Sequence, residues 1–371
     1  MDPNKAACPN SDCPLHGQIG QGNIGLHSKK ENRLRCRNCQ KTFAATKGTI
    51  FYRRRYDEAT ITCVITLLAY GCPVQAICHA FSLDERTVRD WHGAAGLHCQ
   101  HLHEHMIEAS KMDLKQVQAD ELRIKAQGQV VWMALALCVT TRLWLGGVVT
   151  PTRDKAMARA LALKVRLCAL CRPLLVVFDG FRAYVDAFQK AFRSPLHTGK
   201  RGRPRLIAWP GIILGRVIKH RNGHRLEALQ RSLVAQATSI VVPGPPPPEQ
   251  IQAEADRLIS QSQGGGVLNT AYIERFNATM RSVIASLARR TRALARLPQT
   301  MERGMYLAGG VYNFCSDHRS LAVELTLVSG RGEQRRLVGR TPAMAAGLTG
   351  HRWSVRELLN YRCPSQRHHH G

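Results

Sequence analysis

The sequence is poor in acidic residues and contains no long apolar run. Of its 371 residues, 26 are Asp or Glu and 53 are Lys or Arg, so the formal net charge is +27. This excess of positive charge indicates a polyanionic partner, with nucleic acid as the first candidate. The basic residues are spread along the chain between apolar positions, which is typical of a basic folded protein and not of a basic tail.

Features of membrane and secreted proteins are also missing. No stretch approaches the roughly 18 consecutive apolar residues of a membrane-spanning helix, and no signal peptide opens the chain. An anionic membrane surface is the alternative polyanion, but no amphipathic helix rich in Lys and Arg stands out as an anchor. We therefore expect a cytoplasmic protein without a membrane partner.

The 13 cysteines are scattered and odd in number, which argues for thiols and metal ligands rather than disulfides. Four of them form two pairs, Cys8 with Cys13 and Cys36 with Cys39. Four thiolates in two pairs suit a tetrahedral Zn²⁺, and the polar segment around them needs a metal to fold. We predict a structural zinc ribbon over residues 1–52. Four unrelated buried thiols are the alternative, and His16 could replace one cysteine.

Residues 53–98 have the pattern of a helix-turn-helix. Two segments with helical apolar spacing are separated by Ser82-Leu83-Asp84. Arg86 and Arg89 would then point outward from the second helix and reach DNA phosphates or base edges. A plain helical hairpin is the alternative. The histidine-rich residues 99–116 complete no metal site, and we predict a polar linker helix there.

From residue 117 onward, strands and helices alternate. Three consecutive strands are followed by a helix, a fourth strand and a second helix. Asp120 lies on the first strand and Asp179 ends the fourth, at the sheet edge where loops gather. This order of elements is that of an α/β ribonuclease-H-like domain, which we place at 117–320. The predicted strands are 117–126, 129–139, 143–150 and 174–179.

The stretch 269–281 predicts an amphipathic helix that packs on a core. Glu274, Asn277 and Arg281 lie together beside its apolar stripe, at the rim of the core. A surface glutamate in an i,i+4 pair is the alternative for Glu274. Two strand carboxylates and one helix carboxylate can instead hold two divalent cations for phosphodiester cleavage. The apolar stripe consists of Ile273, Phe276, Met280, Val283, Ile284 and Leu287.

The chain between Asp179 and Glu274 is longer than one helix and one strand need, so we predict an insert at about 197–266. Its Arg201-Gly202-Arg203-Pro204 core is similar to a minor-groove AT-hook, and a basic loop is the alternative. Asn222-Gly223 predicts an inserted β-hairpin, and a Pro-rich spacer follows at 243–248. Residues 321–371 read as a basic C-terminal extension with one small helix.

Four motifs occur in an order that resembles the bacterial insertion-sequence DDE transposases of the insertion sequence one type. The resemblance covers roughly residues 8–315, and the Ile-Glu-Arg-Phe-Asn-Ala-Thr-Met-Arg stretch is its most specific part. The chain departs from the family in its hairpin, its Pro-rich insert and its longer tail. The motifs are Cys36–Phe43, Asp120-Glu121-Leu122, Asp179–Tyr184 and Ile273–Arg281.

The resemblance implies an enzyme that binds the terminal inverted repeats of an insertion sequence. It implies cleavage at the element ends with Mg²⁺ or Mn²⁺, two ions per site, and attack of the freed 3′-hydroxyl on target DNA. Asp120, Asp179 and Glu274 correspond to the metal-binding triad, and the zinc ribbon and helix-turn-helix to the readers of the repeats. The DNA-binding residues that we expect are Arg86, Arg89, Arg201, Arg203, Asn277 and Arg281.

The expected partners are double-stranded DNA, as element ends and as target, and further copies of the chain in a synaptic complex. The expected location is the bacterial cytoplasm, in association with the nucleoid. Because neighbouring residues of a strand point to opposite faces, we expect only one of Asp120 and Glu121 to reach the metal site, and we choose Asp120.

Two other functions compete with transposition. One is a catalytically silent, transposase-derived DNA-binding regulator, against which an intact triad argues. The other is a ribonuclease-H-type nuclease acting on structured nucleic acid. Metal-dependent DNA cleavage would separate an enzyme from the regulator, and terminal inverted repeats flanking the gene would favour transposition.

Overall fold

A computed structural model of the chain describes residues 2–196, 199, 201–223, 225–235, 246–263, 266–288, 297–329 and 332–363. These residues form a multi-domain α/β structure around a six-stranded mixed sheet, with a separate three-stranded sheet near the N-terminus. No helix in this part of the chain is long and apolar enough to cross a membrane.

The elements follow the chain in an order close to that predicted. The helices are α1 (Glu58–Ala69), α2 (Val74–Phe81), α3 (Glu85–His103), α4 (Lys155–Cys168), α5 (Ala183–Ala191), α6 (Pro248–Gln263), α7 (Ala271–Val283), α8 (Pro298–Phe314), α9 (Pro342–Ala345) and α10 (Val355–Asn360). The strands are β1 (Ile24–Ser28), β2 (Arg33–Cys36), β3 (Thr42–Ala44), β4 (Gln116–Ala126), β5 (Gln129–Cys138), β6 (Trp144–Thr150), β7 (Leu174–Phe178), β8 (Arg193–Leu196), β9 (Arg205–Ala208), β10 (Ile212–Asn222), β11 (Arg225–Ala235), β12 (His318–Ser329) and β13 (Gly332–Arg340).

The first three helices form a compact unit after the small sheet. The side chain of Asp57 caps α1 through the Thr60 amide, and that of Asp84 caps α3 through the Arg86 amide. Between α2 and α3 the chain turns at Ser82, which has a left-handed φ of 51°. The apolar side chains that face inward here are Ile77, Val88 and Trp91, all of them buried.

Helix α3 does not stop where the polar linker was predicted to begin. It continues to His103, and one π-helical segment follows to Glu108. The linker prediction is wrong because these residues pack against the body: His103 is 2% exposed and its Nε2 lies 3.2 Å from the Leu145 carbonyl oxygen. At Gly96 a Cβ would come within 2.5 Å of the Arg303 carbonyl oxygen, so α3 and α8 pack with their backbones close together.

The strand order of the central sheet is β11-β10-β7-β4-β5-β6. Strands β4, β5 and β6 are antiparallel neighbours, whereas β7 runs parallel to both β4 and β10. The five residues of β7 are all buried because helices cover both faces of the sheet. Phe178 packs with Phe188 of α5 on one face, whereas Val177 belongs to the apolar cluster with Leu258 of α6 on the other.

The predicted hairpin exists, but its description as an insert is wrong. Strand β10 pairs in parallel with β7, from Ile212 beside Leu174 to Arg216 beside Phe178, so it is an integral strand of the main sheet. The Asn222-Gly223 turn then leads into β11 at the sheet edge. The Asn222-Gly223 turn predicts a hairpin but not the strand beside which that hairpin lies. Of the Pro-rich spacer, residues 243–245 lie outside the described residues.

The C-terminal extension is more ordered than a basic tail. Strands β12 and β13 form an antiparallel hairpin. The predicted small helix is α9, and α10 follows it and packs against α1, α3 and α8. Leu358 of α10 is fully buried, and the His98 ring nitrogen lies 2.9 Å from its carbonyl oxygen. Helix α10 therefore covers the side of the molecule formed by α1, α3 and α8.

Candidate active site

The two predicted aspartates meet at one edge of the central sheet. Ala119 of β4 pairs with Phe178, the last residue of β7, so Asp120 and Asp179 lie side by side just beyond that pairing. The Asp179 carboxylate accepts a hydrogen bond of 3.0 Å from the Phe181 amide, which fixes its direction in the turn after β7.

Glu121 joins this pair, and the expectation that it points away is wrong. Alternation does send the two neighbours toward different helices: Asp120 accepts a hydrogen bond from Asn277 of α7, and Glu121 accepts one from Tyr184 of α5. Asp179 lies past the end of β7, where no strand separates the two faces. One oxygen each of Asp120, Glu121 and Asp179 therefore lies within 4.8 Å of the other two.

These three carboxylates form a cluster with strong mutual repulsion. Burial raises the pKa of Asp120 to about 7, and the charges of Asp179 and Glu121 add to this increase. Burial and the charge of Asp179 also raise the pKa of Glu121, against the opposing effect of Arg153. The Arg153 guanidinium is ion-paired with Glu121 and lies 3.9 Å from Asp179. A single arginine thus partly neutralises the cluster.

Glu274 lies beside this cluster and does not belong to it. Among the described residues, the group of oxygens within 4.8 Å of one another comprises only the three strand-side carboxylates. Glu274 is ion-paired with Lys219 of β10 and accepts a hydrogen bond from Thr270. Its charge still contributes to the raised pKa of Asp120. Of the predicted triad, Asp120 and Asp179 are therefore brought together, whereas Glu274 lies near them and is ion-paired with Lys219.

Asn277 does not lie on a DNA-accessible surface, and its expected role in DNA contact is wrong. Its side chain is 2% exposed because it faces the sheet, and its Nδ2 donates to Asp120 Oδ2 across 2.7 Å. It therefore orients the first aspartate. Arg281, one turn further along α7, is partly exposed.

Sequence reasoning missed Gln118, which holds α7 in place. Gln118 is fully buried on β4, and its Oε1 accepts hydrogen bonds from the amides of Tyr272 and Ile273 at 3.0 and 2.9 Å. Its Nε2 donates to the Asn269 carbonyl at 2.7 Å. The Thr270 side chain, at the N-cap position of α7, makes no capping hydrogen bond. A glutamine two residues before Asp120, on the same strand face, was the available signal.

The four predicted zinc ligands also come together. One sulfur each of Cys8, Cys13, Cys36 and Cys39 lies within 4.8 Å of the others, with Sγ–Sγ distances of 3.6 and 3.9 Å across two pairs. A tetrahedral Zn²⁺ with bonds of about 2.3 Å requires sulfurs about 3.8 Å apart. Asn23 and Asn38 each donate to one of the sulfurs at 3.4 Å. The group can therefore bind a structural metal, and His16 is not part of it.

The predicted DNA-binding arginines occupy two exposed places. Arg86 and Arg89 are exposed in the first turns of α3, where Arg89 Nε donates to Glu85 at 2.7 Å. Arg201 and Arg203 are exposed in the segment that joins β8 to β9. Of the basic run 198–205, residues 198 and 200 lie outside the described residues. These two sites share positive charge and solvent exposure, as phosphate contacts require.

The donor chemistry of the two clusters fits two kinds of metal. Carboxylate oxygens are ligands that Mg²⁺ and Mn²⁺ prefer, and burial together with the charges of Asp179 and Glu121 raises the pKa of Asp120, which a bound cation would oppose. Thiolates select softer ions such as Zn²⁺. The chain matches no protein-family model and no curated protein.

Proposed function

We propose that the protein is a DDE-type DNA transposase, with Asp120, Asp179 and Glu274 as its metal-binding carboxylates. The observation that carries this proposal is the convergence of Asp120, Glu121 and Asp179 where β7 ends beside β4, with Glu274 on α7, which packs against β4 and β5. Such a constellation suits metal-assisted phosphodiester chemistry. The net charge of +27 suits a DNA substrate.

The strand order supports a ribonuclease-H-like catalytic domain. Three antiparallel strands, β6-β5-β4, continue into two parallel strands, β7 and β10, in one sheet. Asp120 lies on β4, and Asp179 directly follows β7, the strand beside it. This agreement extends the sequence resemblance, because β10 supplies the fifth strand that the sequence pattern had assigned to an insert.

The chain's own residues prepare the site for metal. Asn277 holds one oxygen of Asp120, so the other oxygen is directed away from α7. Lys219 and Thr270 restrain Glu274, and Arg153 compensates the charge of Glu121. Bound Mg²⁺ or Mn²⁺ would activate the attacking water or 3′-hydroxyl and stabilise the leaving oxygen. Asp120 and Asp179 would hold it together with Glu274 from α7, and Glu121 lies close enough to contribute a further oxygen.

The N-terminal elements would read the element ends. In this proposal the four-cysteine group binds Zn²⁺, and α2 and α3 form a helix-turn-helix that presents Arg86 and Arg89 to DNA. Copies of the chain would bring two ends together in a synaptic complex. The exposed arginines of α3 and the buried contacts between α2 and α3 support this arrangement.

A ribonuclease-H-type nuclease is the second candidate. It is favoured by the close approach of Glu121 to the two aspartates, since this cluster is complete without Glu274. The decisive experiment incubates the protein and Mg²⁺ or Mn²⁺ with duplexes carrying the sequences that flank its gene. A transposase releases 3′-hydroxyl ends and joins them to a second duplex, whereas a nuclease cleaves without joining. Absence of both reactions with active metal would reject the catalytic proposal.

A further inference from the structure

A basic cavity lies on the side of α7 that faces away from Glu274. Its volume is about 260 Å³, and it opens between α7, α8, the β5–β6 turn and the start of β12. At about 100° per residue, Tyr272, Arg275 and Thr279 lie on one flank of α7, and Glu274 and Asn277 lie on the other. The residues with polar groups that matter here are Arg142, Tyr272, Arg275, Tyr312 and His318.

Arg142 is the innermost cation of this cavity. It lies in the β5–β6 turn with a left-handed φ of 58°, and its guanidinium stacks on the Tyr272 ring at 3.9 Å. Its Nη1 is buried and has no hydrogen-bond partner among the described residues. Burial lowers the pKa of Arg142, and the groups that oppose this effect most are Tyr272, Tyr312 and Cys138. A buried guanidinium nitrogen without an acceptor is costly unless a ligand supplies one.

Two further basic groups surround the same space. His318 is half-buried, and its pKa is lowered by burial and then by the charges of Arg142 and Arg275, which places both arginines close to it. The acidic residue in the wall is Asp317, and it is ion-paired with Arg352 at 2.8 Å. The charge of this acid is thus already compensated from outside the cavity, and the cavity keeps a positive balance.

We propose that this cavity is a phosphate-binding site that holds the backbone of the DNA strand as it approaches the carboxylates. The proposal rests on the proposed function for the nature of its ligand. Arg142 offers a planar donor group that suits two phosphate oxygens, and Arg275 lies exposed at the mouth. The Tyr272 ring holds the Arg142 guanidinium by stacking and so limits the entropy lost on binding.

The position of the cavity fits a strand that passes over α7. A helix with its side chains is about 10–12 Å across, so the two flanks of α7 are separated by about that distance. Successive phosphates of one DNA strand advance about 3.4 Å along the helix axis. The cavity would therefore hold a phosphate within a few nucleotides of the bond at the carboxylates. It acts as a positioning site and does not touch the reacting atoms.

The test compares binding of duplex DNA to the full chain and to three variants without added divalent metal. Arg142→Gln and Arg275→Gln each remove one cation from the cavity, and Arg172→Gln removes an exposed cation that is not part of its wall. Anisotropy titrations at several salt concentrations should show affinity about tenfold weaker for the first two variants. Their salt slopes should also be flatter by about 0.9. Arg172→Gln should bind like the unmodified protein.

A second arm separates DNA phosphate from free phosphate. Thermal stability is measured with inorganic phosphate against chloride at equal ionic strength. The proposal is overturned if both cavity variants bind DNA as Arg172→Gln does. This holds even if inorganic phosphate stabilises the unmodified protein but neither variant, because the cavity would then bind free phosphate and not DNA. Arg275 is exposed, so its variant remains informative if Arg142→Gln fails to fold. Failure of the unmodified protein to bind DNA would overturn the proposed function as well. If both cavity variants bind and cleave DNA normally, the phosphate site is rejected and the proposed function is not affected.

Discussion

The side-chain oxygen of Gln118 accepts a hydrogen bond from the backbone amide of Ile273 across 2.9 Å. Gln118 precedes Asp120 by two residues on β4, and Ile273 directly precedes Glu274 on α7. One buried glutamine thus ties the strand that carries the first carboxylate to the helix that carries the last. The distance between the two carboxylates therefore depends on a residue that is itself uncharged.

Gln118→Met should reduce stability, because it keeps the side-chain volume but leaves the amides of Tyr272 and Ile273 without an acceptor. Each buried group left unsatisfied costs about 1–3 kcal/mol. Urea denaturation should show the loss, and metal-dependent activity should fall with it as Glu274 shifts. Gln129→Met, at an exposed position of β5, is the matched control. Equal stability of both variants would show that the hydrogen bonds from the Tyr272 and Ile273 amides to Gln118 contribute nothing to the free energy of unfolding.

Each of the three clustered carboxylates should be needed for DNA cleavage. Asp120→Asn and Asp179→Asn should abolish cleavage and joining while leaving folding and DNA binding intact. Glu121→Gln should also impair cleavage strongly, since its carboxylate approaches both aspartates. Gel assays with labelled duplexes and Mg²⁺ measure this, and Asp186→Asn, a surface acid on α5 ion-paired with Lys190, is the control. Full activity of Glu121→Gln would remove Glu121 from the metal site.

The cluster predicts a pH dependence of stability in the absence of metal. The pKa of Asp120 in the folded protein is raised to about 7, above the value of about 3.9 in an unfolded chain. Between these values the folded state binds more protons, so the free energy of unfolding should fall as the pH rises. Asp120→Asn should reduce this slope and raise the metal-free melting temperature at about pH 8. Parallel pH profiles for both proteins would contradict the raised pKa.

Removal of zinc should unfold the N-terminal sheet. The cluster around the four cysteines contains few large apolar side chains besides Leu34 and Phe43, so metal is expected to supply most of the folding free energy. Elemental analysis should find one zinc per chain, and Cys36→Ser should lose it and become sensitive to proteolysis before α1. Cys171→Ser, at an exposed thiol, should retain zinc. Carefully purified protein without zinc would reject the ribbon.

Arg89→Ala should weaken DNA binding by about 1–3 kcal/mol if Arg89 reads a base, with loss of preference at that position. If it contacts a phosphate, the loss should be similar for all sequences. Glu85→Gln, which releases Arg89 from its ion pair in α3, should strengthen binding slightly. Competition assays with specific and random duplexes distinguish these cases, and unchanged binding to both would exclude α3 from the interface.

Local sequence determined those features that depend on neighbouring residues. Asp57 and Asp84 cap their helices, and Asn222-Gly223 makes the β10–β11 turn. Of the predicted apolar stripe, Ile273, Phe276 and Met280 are buried on α7, Val283 is half-buried, and Ile284 and Leu287 are buried just beyond the end of the helix. The paired cysteines were recognisable for the same reason, because two short spacings already define a metal-ligand pattern. These features lie close together along the chain, so the sequence by itself shows them.

Tertiary structure decided what depends on contacts between distant segments. Strand alternation is a local rule, and it correctly sends Asp120 and Glu121 to different faces; only the end of β7 lets both approach Asp179. Burial of Asn277 follows from the packing of α7 on β4, and the place of β10 in the main sheet follows from its pairing with β7. The spacing of apolar residues shows which face of a helix or strand is buried. It does not show which other element packs against that face, because any apolar surface can cover it.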